Sequence, residues 1–487
     1  MTEQAAPIAP PESGVKVRMY RVGGLGDCFL LTFPSNSGDA RYMLIDCGVF
    51  FGTPGGADRI RAVARDLRTA TGGRIHALVA THQHYDHLSG FKLAQEVFDE
   101  IQVDETWVAW TENPNHPLAR KLRDNRAFAL RALDQAVARM TALNDPNAAL
   151  IAEVMNFNGG FDRALGLSGT AGQMEYVLGK GSSTRYLRPA DPPITWADSP
   201  GIRIFALGPP EDEVLLTHSE PTGAKGEVYE LPGAVNESSA FCAAVLAAGD
   251  LGAGETSFDE LFDRSLPFDY SVAIPLDQAA NHPDYGSFFH QYYGFSDQEG
   301  DGPGWRRIDT DWLSSAANLA LQLDNNTNNT SLVLAIELSP GGKTLLFPGD
   351  AQVGNWLSWS QLSWTDSDGK EVTGVDLLQR AALYKVGHHG SHNATLRAKG
   401  LELMLRNDLV AMIPVYQDQA DKKHWAMPFS PLLQRLEEKT SYRILRNDLG
   451  MPERPDSVPA DRWYEFTCCV SEDSGPDKLW IEFTVSP

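Results

Sequence analysis

Residues 81–90 read THQHYDHLSG, which places His82, His84, Asp86 and His87 within six positions, directly behind the apolar run IHALVA at 75–80. Imidazole and carboxylate donors together suit zinc, iron or manganese better than calcium or magnesium. His82 and His84 are two apart, so along an extended stretch they share a face. Asp86 and His87 follow where the strand should end and a helix or turn begin. A chain that bends there can aim one pair at one metal ion and the other pair at a second. The plain alternative is a polar turn with solvated histidines, and so many ligand-type side chains behind a buried strand argue against it.

Such donors need strands to carry them. VKVRMYRVGG and DCFLLTFP read as two strands joined by a glycine turn, and RYMLIDCG as a third, buried one. ADRIRAVARDLRTATGG has helical spacing and a glycine stop. IHALVATH is a further buried strand, and the cluster begins at its C-terminal end, where open α/β sheets place their chemistry. From about residue 116 to 180 the pattern is helical, as in ARKLRDNRAFALRALDQAVARMTAL. Strand character returns at GIRIFALGPP, and 211–310 is rich in Gly, Pro, Asp and Asn, as expected of an irregular insertion that shapes a site. TSLVLAIELS, GKTLLFPGD, AALYKVGHHG and DLVAMIPV resume the strands, followed by the helix SPLLQRLEEK and the strand YRILRND. The end, RWYEFTCCVS and KLWIEFTVS, reads as a hairpin, with Cys468 and Cys469 on opposite faces of its first strand. The expected division is a disordered tail at 1–14, a first half of the main fold at 15–110, an insertion region at 111–325 and a second half at 326–487. Within the insertion region, 111–195 should be helical, 201–210 a short core strand and 211–310 irregular. Both halves of the main fold share one layout: strands and a helix, then a strand ending in histidines.

The bulk properties narrow the function. The chain has 487 residues, 42% hydrophobic and 22% charged, which is globular. Its formal net charge of -23 argues against broad, non-specific gripping of nucleic acid, although bound metal ions could supply local positive charge. Cys28, Cys47, Cys242, Cys468 and Cys469 are odd in number and lack a CxxC spacing, so they read as reduced core thiols. MTEQAAPIAPPESG lacks the features of a signal peptide, and no run of about 18 apolar residues could span a bilayer. A cytoplasmic location with no membrane partner is therefore expected. The tryptophans of WVAW and NWLSWSQLSW should be core. VGGLGD lacks the strand-then-helix context of a dinucleotide loop, and GDLGAGETS lacks a Walker lysine.

HQHYDH fits the HxHxDH motif of the metallo-β-lactamase superfamily, and the other landmarks come in that superfamily's order: YMLIDCG, then LLFPGD, then KVGHHGSH. The chain most resembles the ComEC-type subgroup, through VGGLGD at 22–27, NNTSLVL at 328–334 and HHGS at 388–391, with KKHWAMP and ILRND after them. This resemblance covers roughly 15–110 and 326–487. It implies an αββα four-layer sandwich, two facing mixed sheets with helices outside and metals at one edge, interrupted by a large helical and irregular insertion.

It also implies roles. His82 and His84 would bind one metal ion, Asp86 and His87 the other, with Asp350 bridging and His388 completing the second site. His389 is the alternative at that last position and a catalytic candidate. No third histidine for the first ion is legible; His218, His282 and His290 lie in the right interval. The cofactor would be one or two divalent ions, zinc first, manganese or iron otherwise. Two such ions make hydroxide available near neutral pH. Asp86 could orient the attacking water, and His424, with Lys422 and Lys423 beside it, could protonate a leaving group, contact a phosphoryl oxygen or simply be a surface loop histidine. Asn328, Asn329, Ser331 and His392 could line the substrate pocket, or the first three could simply cap a strand. The implied function is a metal-dependent hydrolase of a small-molecule or phosphoester substrate, phosphodiesterase- or nuclease-like. Hydrolysis of a lactone, thioester or amide is the alternative, and a metal-stabilised binding scaffold is a third. Oligomeric state is open.

Overall fold

The computed structural model describes residues 6–142, 147–160, 169–189, 191–199, 201–219, 274, 276–279, 281–293, 314–365, 369–475 and 478–487. Most of the stretch read as irregular, with GDLGAGETS and Cys242, lies outside them. The chain divides into two compact units, one of 1–122, 156–233 and 324–487, the other of 123–155 and 234–323.

The first unit is built on two sheets. One carries eight strands: β1 (Val15–Tyr20), β2 (Cys28–Pro34), β3 (Ala40–Cys47), β4 (Arg74–Ala80), β5 (Gln102–Ala109), β6 (Gly181–Leu187), β15 (Val470–Glu472) and β16 (Trp480–Val485), in the order β15-β16-β1-β2-β3-β4-β5-β6. The other carries six: β7 (Arg203–Gly208), β8 (Val333–Glu337), β9 (Thr344–Phe347), β12 (Ala381–Lys385), β13 (Val410–Ile413) and β14 (Ile444–Arg446), in the order β14-β13-β12-β9-β8-β7. A small hairpin, β10 (Ser363–Thr365) and β11 (Glu371–Thr373), stands apart. In each large sheet the site-bearing strands are parallel: β3 with β4, as in Met43 against Ala77, and β12 with β9 and β13. Their C-terminal ends therefore lie along one edge.

Alternation decides the layers. Met43, Ile45, Ala77 and Val79 of the first sheet face Leu334, Ile336, Phe347, Leu383 and Met412 of the second in one buried core. Phe29 and Phe347 meet edge to face across it, with centroids 5.7 Å apart. The intervening residues Leu30, Leu44, Leu78 and Val108 turn outward beneath the helix α1 (Gly56–Ala70) and the helix α2 (Tyr85–Leu93). On α1, Ile60, Val63, Ala64 and Leu67 recur at helical spacing and are buried there. On the second sheet, Leu346, Tyr384, Ala411 and Ile413 turn outward beneath Trp356, Trp359, Leu377, Leu432 and Leu436. The result is a four-layer αββα sandwich. Strands buried on both faces need apolar residues at nearly every position, which is why they read as continuous apolar runs. Trp107, Trp110, Trp356 and Trp359 are fully buried, in keeping with the core role expected of them.

The second unit has its own core, in which Ala132, Leu133, Ala136 and Met140 pack with Ile151, Met155, Leu319 and Leu323.

Three local expectations change. Gly181–Leu187 is a strand and not helix; it is the edge of its sheet, and Ser182, Ser183 and Arg185 are exposed, so no apolar alternation marks it. Ala460–Cys468 is a helix and not the first strand of a hairpin. Its buried residues are Trp463 and Phe466, a helical spacing of three that overrides the apparent alternation. The cysteines thus close a helix, with Cys468 exposed and Cys469 half-buried. Finally, Ile8 ties the expected tail down: its amide donates to the Ala70 carbonyl (2.8 Å) and its own carbonyl accepts the Tyr42 hydroxyl (2.8 Å).

Candidate metal centre

The strand-end edge gathers the donors. After β4 the chain passes Thr81 and stays extended through His84, and Asp86 and His87 form the first turn of α2. That turn lies against the end of β3, and two glycines make the approach possible. A Cβ on Gly48 would stand 2.4 Å from the Asp86 carbonyl carbon, and one on Gly90 2.5 Å from the Cys47 carbonyl oxygen. Gly48→Ala must therefore displace the turn that carries Asp86 and His87. We expect it to destabilise the metal-free protein by about 1–3 kcal/mol, the usual cost of overpacking, and to weaken metal uptake. Urea unfolding and metal titration of the variant check this; unchanged values in both would show that the turn relaxes freely.

Asp46, at the end of β3 with φ 55°, organises the first segment. Its carboxylate accepts the Thr81 amide (2.8 Å), the Thr81 hydroxyl (2.7 Å) and His87 Nδ1–H (2.8 Å). The Thr81 hydroxyl, having donated to Asp46, accepts from His82 Nδ1 at 3.0 Å. His82 is thereby set with Nδ1 protonated and Nε2 open, and His87 with Nδ1 committed to Asp46 and Nε2 aimed into the cluster. His82 Nε2 faces His84 Nδ1 at 3.1 Å. Two nitrogens on one tetrahedral zinc ion, each about 2.0–2.1 Å from it, are separated by about 3.3 Å, so this pair is spaced to share an ion.

Three further elements supply the rest. Gly349, with φ +58°, turns the chain after β9 so that the Asp350 amide donates to Ser331 Oγ (3.1 Å). Asp350 Oδ1 accepts Lys385 Nζ and the His388 amide, both at 3.1 Å, while Oδ2 lies 3.2 Å from His87 Nε2. Beyond β12, His388 and His389 both adopt left-handed backbone, with φ 45° and 52°. This coil sends the His389 ring inward: Nδ1–H donates to the Pro414 carbonyl (2.7 Å), and Nε2 meets Asp86 Oδ2 at 2.9 Å. Lys385 Nζ also donates to the Gly349 carbonyl (2.8 Å) and pairs with Asp27 at 2.5 Å.

The electrostatics call for a cation. Asp27, Asp46, Asp86 and Asp350 are all buried, and among the described residues the buried ammonium facing them is that of Lys385. Burial pushes the His87 imidazolium toward neutrality, but Asp350, Asp27, Asp46 and Asp86 outweigh it and lift its pKa well above the usual histidine value. Burial would raise Asp86, yet His87 and His389 hold it down at about 2. Burial pushes His388 down to about 4. Asp86 Oδ1 and His87 Nε2 are buried with no hydrogen-bond partner, the condition expected of atoms kept for an ion.

One donor atom each from Asp86, His87, Asp350 and His389 lies within 4.8 Å of all the others, a buried group that could hold a metal ion. The His82 ring is 4.2 Å from that of His87. Asp27, Asp46 and His87 form a second such group, but Lys385 already neutralises Asp27 and Thr81 occupies Asp46, so these carboxylates support the donors. Of the histidine pair, His389 enters the cluster, and His388 contributes its amide to Asp350 while its ring Nδ1 is buried without a partner.

Other expected roles change. Asn329 does not face a substrate pocket: its Nδ2 donates to the carbonyls of Leu215, Leu216 and His218, and its Oδ1 accepts the amides of Gln352 and Asn355. Ser331 positions Asp350, and Asn328 donates to Asp324. His392 is half-buried with its ring 6.0 Å from Phe429. His424 is exposed, as are Lys422 and Lys423, although its neighbour Trp425 packs on Phe50 and Phe157. Phe157 in turn lies 5.8 Å from the His84 ring. His218 has a buried Nε2 without a hydrogen-bond partner; His282 Nδ1 accepts the amides of Asp284 and Tyr285, and His282 and His290 belong to the second unit. Asp27, Asp46, Lys385 and Asp324 were not singled out as site residues. The available signals were a carboxylate at the end of VGGLGD, another in LIDCG, and a lysine at the end of an apolar strand.

An αββα sandwich carrying histidine and aspartate donors at its strand ends is a metallo-β-lactamase-type fold. Residues 21–106, which hold His82, His84, Asp86 and His87, match the metallo-beta-lactamase superfamily. No curated protein matches the chain. Among the described residues, no helix is long and apolar enough to cross a membrane.

Proposed function

We propose that this protein is a metal-dependent hydrolase, and that its substrate is a phosphoester, cleaved in the manner of a phosphodiesterase or nuclease. The observation that carries the hydrolase reading is the buried convergence of Asp86, His87, Asp350 and His389. Held there, one or two divalent ions, with zinc the first choice, would acidify a water and neutralise charge on a substrate oxygen. The chain's own residues prepare the rest. Pro414, Thr81 and Asp46 engage Nδ1 of His389, His82 and His87 and so aim each Nε2 inward, and His87, whose pKa the carboxylates raise, would give up its Nε2 proton to an incoming ion. Lys385 and the His388 amide occupy Asp350 Oδ1 and leave Oδ2 for the ions. Asp86 Oδ1, buried and unpartnered, is placed to accept a hydrogen bond from the attacking water.

The phosphoester preference rests on the ComEC-type resemblance of VGGLGD, NNTSLVL and HHGS. A second reading, hydrolysis of a lactone, thioester or amide, is favoured by the aromatic wall of Phe50, Phe157 and Trp425 beside His84 and by the net charge of -23. A reducing, cytoplasmic setting fits the free thiols of Cys28, Cys47, Cys468 and Cys469.

The test is a screen of purified protein, loaded with zinc or manganese, against bis-p-nitrophenyl phosphate, a lactone, nitrocefin and single-stranded DNA. We expect turnover of the phosphodiester, abolished by chelator and restored by metal. Turnover of the lactone or nitrocefin alone would reject the phosphoester preference. A metal-loaded protein inert toward all four would favour a metal-stabilised scaffold.

A further inference from the structure

We infer that Asp324 is the positioning residue for the His82/His84 half of the centre. This inference rests on the metal-dependent reading above. His84 Nδ1 faces His82 Nε2, and the opposite nitrogen, His84 Nε2, lies 3.4 Å from Asp324 Oδ1. Both side chains are largely buried, with 2% and 13% of their surfaces exposed. A carboxylate on one imidazole nitrogen commits that nitrogen as the protonated one, aims the ring and makes the other nitrogen a more basic ligand.

Asp324 is itself held in place. Its Oδ2 accepts Asn328 Nδ2 at 3.2 Å, one turn further along the helix Ser314–Asn329. That helix end is clamped by Asn329, whose Oδ1 receives the amides of Gln352 and Asn355 and whose Nδ2 reaches three carbonyls of the 215–218 segment. Gln352 Nε2 adds a bond to Asn325 at 2.8 Å. The carboxylate thus stands on a rigid turn tied to the residues just after Asp350. It reaches His84 from the side away from His82, so it orients the ligand and is not a further donor to the same ion. His82 is set by Thr81 and Asp46, His87 by Asp46, and His389 by Pro414. Asp324 faces His84 Nε2 at an ion-pair distance of 3.4 Å and so stands where the corresponding partner belongs.

The experiment uses the full chain and cobalt(II) as probe, with d–d absorption reporting the geometry of the occupied sites and chelator competition reporting affinity. Circular dichroism and thermal unfolding confirm that each variant is folded. In Asp324→Ala, the ion that depends on His84 should be held about 10–100-fold more weakly, with its absorption band altered. Asp324→Asn keeps the shape and an acceptor oxygen, so its loss should be smaller. In a His84→Ala background, Asp324→Ala should add nothing, because its effect runs through that imidazole. Cobalt binding by Asp324→Ala equal to wild type, or an equal loss with and without His84, overturns this inference alone. A wild-type protein that takes up no cobalt overturns the metal reading and this inference together.

Discussion

Asp350→Asn should empty the centre. The side chain keeps its shape, and its Oδ1 can still accept Lys385 and the His388 amide, so the local fold should persist. What disappears is the charge on the oxygen that faces His87 Nε2 at 3.2 Å. Asp350 is one of four donors that converge, and the one carried by the second sheet's β9 edge. Removing a supporting partner of a metal ligand typically costs about 10–100-fold in affinity or activity, and loss of an anionic donor should exceed that. The expected result is a folded protein with less than half the wild-type bound metal and hydrolysis below one hundredth of the wild-type rate, by the same scale of about 100-fold. Elemental analysis of dialysed protein and the phosphodiester assay measure the two quantities. Equal metal content and equal rate would show that Asp350 is no part of the centre.

Lys385→Met should damage stability before it damages chemistry. The ammonium is buried, pairs with Asp27 at 2.5 Å and Asp350 at 3.1 Å, and donates to the Gly349 carbonyl. Burial alone would lower its pKa, but the two carboxylates outweigh that and raise it. A raised lysine contributes stability at every pH below its unfolded value of about 10.4, so the effect of the substitution should be nearly constant across the neutral range. Methionine fills the space and leaves two buried carboxylates facing each other without a cation. Breaking a buried pair from one side costs about 3–5 kcal/mol. Urea unfolding of metal-stripped wild type and variant should show a loss of that size, and adding Asp27→Asn should restore part of it, since the partners share one network. An unchanged unfolding midpoint would mean that water already compensates Asp27 and Asp350.

The parts of this centre legible in the sequence were those written locally. His82, His84, Asp86 and His87 are contiguous, and the strand before them is apolar throughout, so residue type and spacing identified them directly. Asp350 and the HHGS histidines were legible only through the resemblance of LLFPGD and KVGHHGSH to the metallo-β-lactamase motifs, and the fold places both at strand ends. The choice between His388 and His389 was not, because two consecutive left-handed residues decide which ring turns inward. Lys385 was hidden by its surroundings: at the end of AALYK it looks like a strand terminus, and only the folded chain sets Asp27 against it. Asp324 sits in an asparagine-rich helix end with no periodic signal, and its relation to His84 spans 240 residues. For Asn329 and Ser331 the sequence leaves pocket lining and strand capping both open, and the backbone groups they satisfy come from segments far away in sequence. The helix at 460–468 was misread for a related reason: Tyr464 and Phe466 mimic strand alternation, and burial of Trp463 with Phe466 selects the helix.

The central claim is that cations are held where Asp86, His87, Asp350 and His389 meet. Crystals grown with manganese or zinc and measured at that metal's absorption edge test it most directly. The account predicts an anomalous peak within bonding distance of those four side chains, with any second peak between His82 Nε2 and His84 Nδ1. Anomalous density confined to surface carboxylates, with none among the four donors, would contradict it.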